Sequence, residues 1–181
     1  QSMDKWAREQ LQRPLNQLSR FDAIYLLGLG QFDPFFPKAD LSALTAFFQH
    51  WDIDVSGLSN LHLDLGKEPA KSAQAICFLL SVPHEIYVLM KPEGGWIDLE
   101  TLWHELGHGL SAVYVSPDLD FVKREMTLSS SLTETYAFLF QNFCFSSQFL
   151  LKTLNLSDSL IKELKHYKLL KEMAIFRRYA A

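Results

Sequence analysis

Cysteine is nearly absent from this sequence: Cys77 and Cys144 are the only two in 181 residues. Two are too few for a disulfide framework, and neither has a partner at zinc-finger spacing. Both are expected to be buried free thiols of a reducing, cytoplasmic compartment. Basic runs are missing too. Seventeen Lys and Arg stand against 21 Asp and Glu, for a formal charge of −4, which leaves no electrostatic footprint for nucleic acid. No uninterrupted apolar stretch approaches the ~20 residues that a membrane-spanning helix needs. The opening Gln1-Ser2-Met3-Asp4 has no basic region followed by an apolar one, so no secretory signal is expected; Gln1-Ser2 reads as a remnant of tag cleavage, with residues 1–3 partly foreign. Internal repeats and low-complexity segments are also lacking.

What is present is apolar and aromatic. Apolar residues make up 48% of the chain, with fourteen Phe and four Trp, a globular composition with enough material for one core. Residues 1–181 are expected to form a single domain. Trp6, Leu11, Leu15, Leu18, Phe21, Ile24 and Tyr25 recur near helical spacing over 4–32, with Pro14 beginning or kinking a helix. Pro34 and Pro37 interrupt the pattern, and Asp40 is placed to cap a short helix through Leu41, Leu44, Phe47 and Phe48. Ile76–Leu80 and Ile86–Met90 are two short apolar runs that predict an antiparallel hairpin, with a shorter strand possible around Leu61-His62-Leu63. After Lys91-Pro92-Glu93-Gly94-Gly95, a turn, the helical pattern returns to the end. The expected class is mainly α (α+β), with a small antiparallel sheet.

The chemistry lies at His104-Glu105-Leu106-Gly107-His108. Asp98 reads as an N-cap and Glu100 as a first-turn carboxylate favoured by the helix dipole. Leu99, Leu102, Trp103, Leu106, Leu110 and Val113 form an apolar stripe. His104 and His108 differ by only about 40° around the helix and project from the other side. Two imidazoles at that spacing can bind one Zn²⁺ from a rigid scaffold. Glu105, about 100° further round, is suited to act as general base on a metal-bound water and later as the acid that protonates a leaving amine. Gly107 and Gly109 each cost a helix about 1 kcal/mol relative to Ala, which another backbone approaching closely would explain.

A catalytic zinc needs a third protein ligand and an open position. Glu134, in Ser131-Leu132-Thr133-Glu134-Thr135-Tyr136-Ala137-Phe138, opens a strongly apolar helix where a carboxylate would be awkward to bury without a positive partner. Glu125 is the rival, but Lys123-Arg124-Glu125 reads as surface pairing. His104, His108 and Glu134 are therefore the expected ligands of one zinc per chain.

With that Glu twenty-five residues or so beyond the second His, the pattern resembles the thimet oligopeptidase–oligoendopeptidase F family of gluzincins. Ser116-Pro117-Asp118-Leu119-Asp120-Phe121 and Thr133-Glu134-Thr135-Tyr136-Ala137-Phe138-Leu139-Phe140 are similar to a bacterial branch, in which this Glu is the ligand. Leu63-Asp64, Lys71 and Ala75 resemble the segment leading into the family's edge strand. The resemblance is most specific over 60–142. It implies a helical zincin catalytic domain, a zinc-dependent peptidase with Glu105 as base, and an edge strand that binds a short peptide by backbone hydrogen bonds. It also implies a Tyr, and often a His, on later helices to stabilise the oxyanion. The chain ends at Arg177-Arg178-Tyr179-Ala180-Ala181 before such a segment, so it is expected to be a piece of a longer peptidase whose remaining domains are partners.

The other residues have bland readings. His62, His84 and His166 lack ligand spacing and are expected at the surface or satisfied. Tyr114 and Tyr136 could donate to an oxyanion, although core packing is the favoured reading. Leu160, Ile161, Leu164, Tyr167, Leu170 and Ile175 predict an amphipathic helix capped at Ser157 or Asp158, with Lys162, Lys165, Lys168 and Lys171 as its solvated side. Two alternatives stay open: a non-catalytic metal- or peptide-binding domain that keeps the ligands, and a helical structural domain without metal.

Overall fold

The fold is organised around one helix that is covered on most of its circumference. The computed structural model describes residues 2–36, 41–72, 74–125 and 130–180. Its elements are helices α1 (Ser2–Leu11), α2 (Arg20–Leu27), α3 (Leu41–Gln49), α4 (Trp96–Val113), α5 (Phe121–Glu125), α6 (Ser130–Phe143) and α7 (Asp158–Ala180), and strands β1 (Leu61–Asp64), β2 (Ile76–Ser81) and β3 (Glu85–Leu89). The mainly helical plan with one small sheet is as expected. The expected cap at Asp40 and residue Pro37 lie outside the described residues. The continuous helical reading of 4–32 does not hold: Pro14 sits in extended backbone, ahead of a single 3-10 turn, and separates α1 from α2.

The sheet has the order β1-β3-β2. β2 and β3 form the expected antiparallel hairpin, with Cys77 opposite Val88 and Leu79 opposite Ile86. β1 runs parallel to β3, pairing Leu61 with Ile86 and Leu63 with Val88. The sheet is therefore mixed, a correction to the antiparallel expectation. The register puts Leu61, Leu63, Ile86, Val88, Cys77 and Leu79 on one face, because alternate residues share a side. That face covers α4. A Cβ on Gly109 would stand 3.1 Å from Leu61 Cδ1 and 3.3 Å from Val88 Cγ2. β2 is an edge strand with exposed Phe78, Leu79 and Leu80.

On its other side α4 packs in an aromatic cluster. Trp103 is fully buried, with ring centroids of Phe149 at 4.9 Å, Phe48 at 5.1 Å and Phe47 at 5.2 Å. Each such side chain, on burial, contributes roughly 1.5–3 kcal/mol or more. The start of α4 is fixed from far along the chain. The Trp96 indole N–H donates to Gly28 O at 2.7 Å and its backbone N–H to Asp33 Oδ1 at 3.1 Å. Gly95 precedes it at φ 99°, a left-handed backbone that favours glycine. The helix thus begins two residues before the expected cap. Asp98 lies inside the first turn, buried, and accepts from the Gly94 N–H.

Candidate metal centre

α4 and α6 pack against each other, with their main chains in contact at Gly107. A Cβ on Gly107 would fall 2.6 Å from Ala137 Cα and 2.8 Å from Tyr136 O, so the two backbones touch. This is the close approach that Gly107 anticipates; Gly109 serves the sheet instead. Across the seam the His face of α4 meets the Glu134 face of α6. His104 Nε2 lies 3.6 Å from Glu134 Oε2, and His108 Nε2 lies 3.7 Å from Glu134 Oε1. One donor atom from each of the three residues lies within 4.8 Å of the other two.

This donor set suits a metal ion. Two imidazole nitrogens and a carboxylate within 4.8 Å of one another could hold a metal ion, and such a donor set is used by catalytic zinc sites that leave a position open. Burial lowers the pKa of His108, reinforced by the neighbouring His104, while the charges of Glu134 and Glu105 raise it less. The net effect favours the neutral imidazole that a metal requires. Glu134 itself is 46% exposed in its side chain, because Ala137 is the buried residue of α6 and Leu132, Tyr136, Phe138 and Leu139 are exposed. Burial pressure, the reason expected for its role, is therefore not what distinguishes it. Its position opposite both histidines is.

Glu105 is half-buried, and its charge acts on both His108 and Cys77 of β2. Cys77 is half-buried and not fully buried as expected; burial first, then Glu105, pushes its thiol up to about 12. Cys144 is buried and its pKa is raised by that burial, so both are free, protonated thiols.

Beyond the ligands, three residues form a polar chain that sequence reasoning missed. His104 Nδ1 lies 2.9 Å from Gln141 Oε1. Gln141 Nε2 donates to Glu100 Oε1 at 2.9 Å, and Lys171 Nζ donates to Glu100 Oε2 at 2.7 Å. Glu100 and Lys171 are 4% and 9% exposed. Lys171 thus corrects the expected solvated Lys face of α7; Lys168 also folds inward, 4.2 Å over the Phe145 ring. The signal for Glu100 and Gln141 was present as spacing. Glu100 is four residues before His104 and Gln141 seven after Glu134, so each shares its ligand's helix face.

The remaining residues fall as follows. Glu125 pairs with Arg124 as expected, but it also accepts from the Val82 N–H at 3.0 Å and is half-buried, anchoring the end of β2. Tyr114 and Tyr136 are exposed and not in the core. They line a cavity of about 570 Å³ with Leu79, Leu110, Ser111 and Thr133, one turn beyond His108 and flanking Glu134. His84 and His166 are exposed, and His62 stacks on Tyr87 at 4.6 Å. Lys71 binds Asp64 Oδ1 at 2.6 Å and Gly66 O at 3.2 Å, tying down the segment before β2. Among the described residues no helix is long and apolar enough to cross a membrane.

In comparisons with known proteins, no protein-family model, no curated protein and no solved structure matches this chain.

Proposed function

We propose that the chain is a zinc-dependent peptidase domain of the thimet oligopeptidase–oligoendopeptidase F type, acting on short extended peptides in the cytoplasm. The observation that carries the reading is the approach of one donor atom each from His104, His108 and Glu134 to within 4.8 Å of one another, with Glu105 the next residue after His104. Zinc held by these three residues would supply Lewis acidity, polarising a peptide carbonyl and acidifying water. The protein's own groups do the rest. The outer edge of β2, which pairs only with β3 among the described strands, offers backbone donors and acceptors to an extended peptide, and the charge of Glu105 is felt both at Cys77 of that strand and at His108. Glu105 takes a proton as the water oxygen bonds to the carbonyl carbon. It returns the proton to the nitrogen as the C–N bond breaks. The cavity beside Ser111 and Tyr136, lined largely by apolar groups, is suited to an apolar substrate side chain.

Glu105→Gln tests the reading. It should lower peptide hydrolysis by about 10²–10⁴-fold while elemental analysis still finds close to one zinc per chain. Unchanged hydrolysis in the variant would remove Glu105 as base. A wild-type chain that takes up no zinc would remove the metal reading altogether.

A further inference from the structure

The polar chain behind His104 has a direction, and we propose that Lys171, Glu100 and Gln141 are positioning residues that fix the His104 tautomer and so keep its Nε2 available to a metal. The zinc part of this inference rests on the metal reading above; the tautomer part does not.

The direction follows from donor and acceptor chemistry alone. A lysine ammonium has only hydrogens to offer, so Glu100 Oε2, 2.7 Å from Lys171 Nζ, must accept. The ion-paired carboxylate has only lone pairs, so the group facing Glu100 Oε1 must donate. That group is the Gln141 amide, 2.9 Å away. Its NH₂ is thereby committed to Glu100, which turns its oxygen towards His104. An amide oxygen can only accept, so His104 Nδ1, 2.9 Å from it, must carry the hydrogen. In the neutral ring the other nitrogen then holds the lone pair. That nitrogen is Nε2, which lies 3.6 Å from Glu134 Oε2. Four residues on three helices thus settle which nitrogen of one imidazole can bind a metal.

The position of this chain makes the assignment firm. Glu100 and Lys171 are almost completely buried, so water does not supply alternative partners. Lys171 is held further by the Trp96 ring, 4.6 Å from its Nζ. A buried carboxylate next to the α4 backbone would be costly without both donors. The ion pair is thus a source of polarity whose effect reaches the ligand through Gln141.

An isosteric change should reverse the chain. In Glu100→Gln the lysine still demands an oxygen, so the new side chain must turn its NH₂ towards Gln141. Gln141 then presents oxygen to it and NH₂ to His104, which leaves the lone pair on Nδ1 and the hydrogen on Nε2. Long-range ¹H–¹⁵N correlation spectra of the metal-free protein, recorded at a pH where the histidines are neutral, read this directly. The wild type should show His104 protonated on Nδ1, and Glu100→Gln should show it on Nε2. Gln141→Leu should give a mixture, and Lys171→Arg should keep the wild-type form. Zinc affinity, measured by chelator competition, should fall about 10- to 100-fold in Glu100→Gln and Gln141→Leu and stay within about threefold in Lys171→Arg. A His104 ring that keeps Nδ1–H in Glu100→Gln, with a folded spectrum, overturns the proposal, as does an Nε2–H wild type. If the wild type takes up no zinc, the metal reading fails and the tautomer spectra still decide this one. Should Glu100→Gln not fold, the Gln141→Leu spectrum decides: His104 still wholly Nδ1-protonated would overturn the proposal.

Discussion

The two ends of the α4–α6 seam are built on opposite terms. At the inner end Glu100, Gln141 and Lys171 are joined by short hydrogen bonds, and the charged pair is hidden from water. At the outer end Glu134 is 46% exposed and meets the two histidines at 3.6 and 3.7 Å, beyond ordinary hydrogen-bond length. Buried charges are satisfied within the protein at one end; at the other, among the described residues, the two Nε2 atoms and the Glu134 carboxylate have no hydrogen-bond partner. The difference separates holding a site in place from using it. It also makes the two ends respond differently to the same kind of damage.

The largest contrast is between Lys171→Met and Glu134→Ala. The first strands a buried carboxylate and should cost about 3–5 kcal/mol, lowering the Tm of the metal-free protein by roughly 10 °C or more. The second removes an exposed side chain and should move that Tm by less than about 2 °C. It should nonetheless weaken zinc binding by on the order of 100-fold or more, since a total near 10 kcal/mol is shared among few ligands. Calorimetry with and without zinc reads both. A large Tm loss in Glu134→Ala, or none in Lys171→Met, would erase the distinction between the ends.

The two glycines of α4 sharpen it at the next level. Gly107→Ala would push a methyl into the backbone of α6, 2.6 Å from Ala137 Cα, and should destabilise the protein by about 1–3 kcal/mol while also weakening zinc uptake. Gly109→Ala meets side-chain carbons as its nearest neighbours, Leu61 Cδ1 at 3.1 Å, Val88 Cγ2 at 3.3 Å and Ile86 Cγ2 at 3.7 Å, and no main chain among them. The gain in helix propensity, about 1 kcal/mol, should offset that crowding and leave zinc binding unchanged. Chemical denaturation together with zinc titration separates the two.

The smallest effect is the pH response of His108. Burial depresses its folded-state pKa below the ordinary value of 6.5. Between the depressed value and 6.5 the unfolded chain binds the proton and the folded one does not, so stability is full above about 6.5 and falls as pH drops through that window. His108→Gln in the metal-free protein should flatten that part of the stability-against-pH curve.

How much of this was legible in the sequence depended on distance along the chain. His104, Glu105 and His108 share one helix, and local periodicity was enough to place all three on the face away from Trp103. Glu134 stands out in the sequence as a third ligand, but the apolar run around it does not reveal which face of α6 is covered, and only Ala137 of that helix is buried. Asp98 is not the cap because the Trp96 N–H is taken by Asp33, sixty-three positions before that tryptophan. The parallel pairing of β1 was hidden for the same reason: a short strand's direction is set by what it meets, not by its own residues. Glu100, Gln141 and Lys171 each look ordinary on their own helices, and only the packing of three helices makes them one chain.

The contact between Gly107 and Ala137 acts as a caliper. Because main chain rests on main chain there, the distance between the two backbones that carry the histidines and Glu134 is set without reference to any side chain's rotamer. A change in the surrounding aromatic packing then meets a fixed stop between the two main chains, and the donors differ in reach only by their own side-chain torsions.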